Sequence, residues 1–550
     1  MTQDASNSKS GRTPVQRLRR VGLWFGILVL VIAGVIGGGA IWMQGRTVLV
    51  PDWLRARIEQ RLIEVLPDLD IRFGAMELVV DEGWRPRARV RNVVVTAPGA
   101  VEIVALTEVK ASMAMRPLLQ GKLETKSIDL TGVFATLRRD ASGAVALSGG
   151  TAPASPAKKA GSLAQLVDQI DDVLQKPGVS SLTRVSVRAL TLRYEDARSG
   201  RAWTVDGGRL RLLRDGQDLR MTAELSVLGG GTDVATLEAS YEGSIGAAQS
   251  SFGINIDGVP ASDIAAQGPA FAWLMPLRAE ISGALRGGVD ASGTLLRLNA
   301  TLQIGKGTIQ PTQATNPIPF DSARSYFTFI PATGELRFDE LSVRSDWVTG
   351  QAQGLVGLEG LAGGGLNDLV GQFELSGLKL NPYNLYHESV QIAGAEMDFR
   401  LKLDPFELTL GRLHLSDQGQ SILANATVKA APEGWSVAAD ARMNQITSDR
   451  LKTYWPQSLV PKTRNWIADN IVQGNLRNID VALRQTSGAK PRTQLSFEYD
   501  EAVVRFLKDM PPVRDAKGHA GLSGKRFALT VDEGRVLAPQ GGQLDVAGSS

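Results

Sequence analysis

One-for-one alternation of apolar and polar residues is the feature that most constrains this chain. Leu296, Leu298, Ala300, Leu302 and Ile304 alternate with Arg297, Asn299, Thr301 and Gln303. Met397, Phe399, Leu401 and Leu403 alternate with Asp398, Arg400, Lys402 and Asp404. Leu219 to Val227 and Trp435 to Met443 repeat the pattern. Successive side chains of a strand point to opposite faces, so each segment predicts a strand with one apolar and one wetted face. Such strands suit antiparallel meanders; a sheet covered on both faces would read as unbroken apolar runs. Residues 179–550, at roughly 12–15 residues per strand and turn, supply about 25–30 strands, and at ~4.8 Å spacing a sheet on the order of 120–140 Å long. Open sheets rarely exceed ~10 strands without curling, so the expectation is a coiled groove or several packed sheets.

Composition agrees with many short strands and tight turns: 59 glycines, and aromatics at only 6%. The net charge of +3 is the difference of 60 basic and 57 acidic residues. After the first 20 residues the basic residues do not cluster, which argues against nucleic acid as a partner. Cysteine is absent, so disulfides, thiolate metal sites and a cysteine nucleophile are excluded. Three histidines, His387, His414 and His519, are scattered and read as surface or strand residues rather than a metal or acid–base centre. No GxSxG, HExxH or EF-hand spacing occurs. Gly305-Lys306-Gly307-Thr308 does not meet the phosphate-loop pattern and reads as a hairpin turn. The chain is therefore expected to be non-catalytic, with no cofactor and no metal.

Val21–Gly45 holds no charged residue. About 20 residues at ~1.5 Å rise cross a ~30 Å hydrocarbon core, so this run predicts a transmembrane helix over 21–45. Trp24 and Trp42 fall near its ends, where indole rings prefer the interface. Lys9, Arg12, Arg17, Arg19 and Arg20 precede it against the single acid Asp4. The positive-inside rule then leaves residues 1–20 as a cytoplasmic tail and everything after Arg46 outside. The run is too long for a signal-peptide core, and Ala40-Ile41-Trp42 is a poor cleavage site.

Beyond the anchor, 46–147 reads as a helix followed by strands. Leu54, Ile58, Leu62 and Val65 share one helical face between Pro51 and Pro67. The period then changes to two, with strands expected over Arg87–Thr96 and Ala100–Met115. Residues 148–178 read as a linker rich in Ala, Pro, Ser and Lys, then a short amphipathic helix opened by a capping box of Ser162 and Gln165. From 179 the strand pattern dominates.

A gapped internal repeat runs through this last region. Ile254–Ile264, Phe373–Pro382 and Ala441–Leu451 each read as a strand end, a turn and a short helical start. Their irregular spacing argues for an elongated stack rather than a propeller. Phe527–Val531 and Gln543–Gly548 are strand-like and Ser549-Ser550 brings no terminating feature, so a chain incomplete at its C-terminus is expected.

The anchor followed by Val50-Pro51-Asp52-Trp53-Leu54, and above all the stretch 451–483, resemble the AsmA-like superfamily and within it the YhdP-type proteins. The stretch holds Tyr454-Trp455-Pro456, Pro461, Arg464-Asn465-Trp466-Ile467, Asn470-Ile471, Gly474 and Ile479-Asp480-Val481. It is similar to the family's signature of a Trp-Pro pair, a proline, Arg-x-Trp, Asn-Ile and a glycine. The resemblance implies a mostly β protein: one N-terminal transmembrane helix, then an elongated, twisted antiparallel β-groove with a few short capping helices.

It also implies a function, the bridging of inner and outer membranes by phospholipid moving along an apolar groove. On that reading the chain sits in the inner membrane with its bulk in the periplasm. Leu296, Leu298, Leu302, Ile304, Met397, Phe399, Leu401 and Leu403 would line the groove, and acyl chains would be its partners. Contact with outer-membrane or periplasmic proteins would belong to the missing C-terminal part. The alternative is a non-catalytic structural or regulatory factor of envelope assembly, whose apolar faces form a closed core. From the residues alone, Pro461 opens a helix with Trp466, Ile467 and Ile471 on one face, which reads first as a cap on the sheet edge.

Overall fold

A computed structural model describes residues 47–52, 55–56, 70–80, 86–97, 101–114, 124–141, 145–148, 174–175, 179–229, 234–360, 365–458, 460–505 and 510–550. The expected transmembrane helix over 21–45 lies outside these residues. So do most of the following helix and, apart from Ser148, Leu174 and Gln175, the 148–178 segment. Among the described residues no helix is long and apolar enough to cross a membrane. The fold is mostly β. It divides into two compact units, up to Leu219 and from Arg220.

In the first unit, Met76–Val80, Pro86–Ala97, Val101–Met113 and Thr125–Arg139 pair in succession, all antiparallel. Arg184–Asp196 then joins Thr125–Arg139 in parallel, in register from Ser127↔Arg184 to Arg139↔Asp196. The sheet is therefore mixed, which corrects the expectation of a purely antiparallel groove. A parallel neighbour needs a crossover of a dozen or more residues, a pairing that local alternation cannot announce. At the end of that pair Arg139 grips Asp196 with two parallel hydrogen bonds of 2.8 and 2.6 Å. The Asp196 side chain has no solvent exposure, and Ser199 and the Arg198 amide also donate to it.

The second unit is an antiparallel meander. Seventeen described strands, from Val234–Ser244 to Gln543–Asp545, each pair with the next. A separate three-stranded sheet of Leu277–Arg278, Gly307–Ile309 and Ile318–Phe320 sits beside it. Gly305-Lys306 is thus no hairpin turn but the link that carries the chain out of the main sheet.

The strands of the meander are joined alternately at two rims. One rim carries short connections such as 331–334, 403–406 and 432–433. The other carries every described helical segment of this unit: α1 (Ala261–Ala265), the 3-10 turns Pro269–Leu274 and Pro382–Asn384, α2 (Ser448–Tyr454) and α3 (Pro461–Asn470). The internal repeat marks this rim. In two of the three copies the register slips just before the strand ends, at 257–258 against the following strand and at 377 against the preceding one. The next apolar residue is buried in the second and third copies: Leu378 is 6% exposed and Ile446 2%.

Candidate functional site

Residues directly opposite each other in an antiparallel pair present their side chains to the same face. The registers therefore trace one apolar rank across eleven strands. It runs Phe338, Gly354, Phe373, Met397, Leu413, Ala424, Ala441, Val481, Leu495, Leu522 and Phe527. A parallel rank holds Leu336, Val356, Gly371, Phe399, Leu410, Ala426, Ala439 and Leu483. Rings follow one another along the first strands: Phe327 to Phe338 at 5.5 Å, Phe338 to Phe373 at 5.6 Å, Phe373 to Phe399 at 5.3 Å.

This face is covered at its two ends. At the N-terminal end Leu302 and Ile304 pack against Ala261, Leu274 and the fully buried Ile281. Trp273 belongs to this cluster and also to the next, around Leu336, Val356, Leu369 and Phe373. At the C-terminal end Ile446, Leu476, Phe497, Tyr499 and Leu522 form a sealed core, with Trp455 and Trp466 packed on it. Between the ends the character changes. From Met397 to Gln445 no apolar side chain is fully buried, although Met397, Phe399, Leu401, Leu408, Leu410, Ala424, Ala426, Val428, Val437, Ala439 and Ala441 are all half-buried. Three hairpins thus carry a continuous apolar surface that is only half-buried.

The residues singled out in the sequence distribute over these sections. Met397, Phe399, Leu401 and Leu403 lie together, packed against the Leu336–Phe373 cluster and opening onto the half-buried window. Leu302 and Ile304 lie in the covered N-terminal section. Leu298 is half-buried and pairs with Phe329. Leu296 stands apart: the strand begins only at Leu298, and Leu296 is 48% exposed in the preceding connection. The two segments are thus not one lining; Trp273 stands between them.

The 451–483 residues build a cap. Thr447 accepts a hydrogen bond from the Arg450 amide and opens α2; Pro461 occupies the first turn of α3, where its missing N–H costs nothing. Arg464 joins the helices, donating to the carbonyls of Trp455 (3.0 Å) and Lys452 (3.3 Å). These are C-terminal carbonyls of α2 that have no partner within the helix. Tyr454 donates to Asp417, which Arg450 approaches at 3.4 Å, while Tyr386 donates to the Tyr454 carbonyl at 2.9 Å. Burial, reinforced by the Asp417 carboxylate, pushes the Tyr454 hydroxyl up to about 12. Trp466 meets Phe527 at 5.5 Å, Pro456 is buried, and Gly474 lets its strand pass against Ala502.

The opposite face is polar. Cross-strand pairs such as Arg442–Asp480 (2.7 Å) and Arg484–Asp440 (2.8 Å) border an open cavity of about 1070 Å³. Exposed pairs of this kind contribute little to stability. His414 bonds Ser421 and His519 faces Asp532, far apart in the meander. Among the described residues no group of three or more His, Cys, Asp or Glu could hold a metal ion.

No family model, curated protein or solved structure matches this chain.

Proposed function

We propose that this chain is a lipid-transfer protein of the AsmA-like, YhdP type. It holds phospholipid acyl chains on the apolar face of the meander and carries them from the inner membrane, where residues 21–45 anchor it, toward the outer membrane. One observation carries the reading. The apolar ranks continue unbroken from strand to strand, yet between Met397 and Gln445 no apolar side chain is buried. Apolar surface left in water costs ~25 cal/mol per Å², so a continuous strip of this kind is kept where an apolar ligand covers it. Transfer along it needs no bond chemistry; the hydrophobic effect holds chains in the strip, and no residue is assigned a catalytic role.

A structural role in envelope assembly is the second reading, favoured by the sealed C-terminal section around Leu476 and Leu522. Native mass spectrometry of the full chain, extracted in mild detergent, separates the two. Co-purifying phospholipid at a fixed stoichiometry supports transfer. A lipid-free chain of unchanged fold supports the structural role and removes the proposal.

A further inference from the structure

Residues 310–316 follow the strand Gly307–Ile309 and leave the rim that bears the helices. Their end meets a distant hairpin. The Trp435 indole donates to the Asn316 carbonyl at 2.7 Å, across 119 residues of sequence. A Cβ placed on Gly434 would lie 3.1 Å from the Ala314 carbonyl oxygen and 2.6 Å from Ser487 Oγ. Between Leu298–Ile304 and Gly434–Thr447 the meander takes eight strand-to-strand steps. In a flat sheet those strands would stand about 38 Å apart at ~4.8 Å per step. With ~20–25° of twist per step they turn by roughly half a revolution, which brings opposite rims together. Trp435 alternates with Val437, Ala439 and Ala441, so the contact forms on the apolar side. With Ile309 paired to Ile318, the segment is a hairpin loop, a strap whose tip rests on the far rim at Gly434 and Trp435, at the edge of the half-buried window.

The geometry points to a strap that encloses hydrocarbon and excludes headgroups, so that a lipid passes this point only when the Asn316–Trp435 contact opens. This inference rests on the proposed transfer function. The strap's polar groups are engaged with one another: Thr315, 1% exposed, donates to the Thr312 carbonyl (2.8 Å), and Gln310 donates to the Thr315 carbonyl (2.9 Å). The Gln310 amide is tied to the Pro276 carbonyl at 2.7 Å. Along the strands that end at this contact the ranks narrow from phenylalanine and leucine to Ala424, Ala426, Ala439 and Ala441. Alanine side chains give depth and carry no polar atom, so the space beside the strap's contact suits an acyl chain and offers a phosphate or glycerol no side chain to bond. A headgroup riding along the open side meets the strap as an obstacle.

The chain has no native cysteine. Ala314→Cys with Ser487→Cys in the full chain therefore allows a single disulfide, which fastens the strap beside Gly434. The probe is phosphatidylethanolamine bearing a fluorescent acyl chain, moved between phosphatidylglycerol-containing donor and acceptor vesicles. The expected result is loss of transfer on oxidation and recovery on reduction, with lipid still bound in both states. Trp435→Phe, which keeps the ring and removes the donor, is expected to speed transfer. Equal transfer in the oxidised and reduced pair, or a pair that does not cross-link, overturns the strap and leaves the transfer function standing. A wild-type chain that neither binds nor moves the probe overturns both.

Discussion

Phe399 stacks on Phe373 of the neighbouring strand, ring centroids 5.3 Å apart and planes within 14°, beside Gly371, the residue directly opposite Phe399. A Cβ on Gly371 would stand 2.8 Å from the Phe399 ring and 2.7 Å from the Leu355 carbonyl oxygen. The glycine is what lets the aromatic ring lie flat along the apolar face. Its replacement must move either a ring or a backbone.

Gly371→Ala is expected to destabilise the second unit by about 1–3 kcal/mol, the usual cost of forcing an extra methyl into a packed site. Chemical denaturation followed by tryptophan fluorescence measures it. An unchanged midpoint would show that the ring does not rest there.

Arg464 holds α2 and α3 together through two charged hydrogen bonds. Arg464→Ala is expected to cost about 1.5–3 kcal/mol and to expose the Trp455 region to hydrogen exchange before the rest of the unit. Arg464→Lys should not restore it, because one ammonium cannot span two carbonyls as the planar guanidinium does. Full rescue by lysine would remove the bridging role.

The strands and their exposed faces were legible from alternation alone, because a half-wetted sheet writes its geometry into the sequence with period two. The rim of helices was legible from the internal repeat for the same local reason. The features that went unread are those where phase or distance intervenes. In the strand Glu407–Asp417 the apolar series runs Leu408, Leu410 and then Leu413, Leu415, shifted by a bulge at Gly411-Arg412. Alternation counted straight through that bulge assigns half the strand to the wrong face. The pairing of Thr125–Arg139 with Arg184–Asp196 and the meeting of Asn316 with Trp435 join segments remote in sequence, and no local pattern encodes them. Of the candidate residues, Met397, Phe399 and Leu401 fall in a strand as alternation predicts, whereas Leu296 belonged to the pattern but not to the strand.

Acid should weaken the first unit before the second. Hydrogen bonds from Arg139, with those from Ser199 and the Arg198 amide, hold the Asp196 carboxyl well below the usual carboxylate range despite its burial. A carboxylate depressed in the fold stabilises at pH above its unfolded value, ~3.9, and that stabilisation drains away as the pH falls below it. Asp196→Asn removes this dependence and leaves Arg139 facing no carboxylate at the end of the parallel pair, a loss of about 3–5 kcal/mol for a broken buried pair. Hydrogen exchange of Thr125–Arg139 and Arg184–Asp196 between pH 5 and 3 reads both effects. Identical acid profiles in the two proteins would show that another group controls this unit.

Alkali tests the cap and the sealed core. Burial pushes the hydroxyls of both Tyr454 and Tyr499 up to about 12, and Tyr499 donates to the Thr530 carbonyl at 2.7 Å. A raised value means that the protonated form is favoured in the fold, so the stabilisation is complete below ~10 and is lost as pH rises toward 12. Burial also pushes up the hydroxyls of Tyr194 and Tyr386, so Tyr454 and Tyr499 should be among at least four of the seven tyrosines that ionise late in an ultraviolet titration, these two together with unfolding, and Tyr454→Phe should remove one of them. Ionisation of all seven in a single early step would place both hydroxyls in water.

The strongest discrimination comes from placing one charge at two points of the same apolar rank system. Leu522 is 3% exposed in the sealed C-terminal core, whereas Leu410 and Ala426 are half-buried in the window between Met397 and Gln445. An aspartate at Leu522 has no water and no partner, and desolvating it costs several kcal/mol, enough to unfold that section. An aspartate at Leu410 or Ala426 can turn to the solvent that already reaches these side chains, so the fold should survive. The same carboxylate would stand in the path of an acyl chain, so bound phospholipid should be lost from a protein whose circular dichroism and denaturation midpoint are unchanged. Leu522→Asp is thus expected to unfold, and Leu410→Asp and Ala426→Asp to fold without lipid. If the window variants unfold as Leu522→Asp does, the window is a closed core and the transfer reading loses its physical basis; if they fold and retain lipid, the acyl chains lie elsewhere.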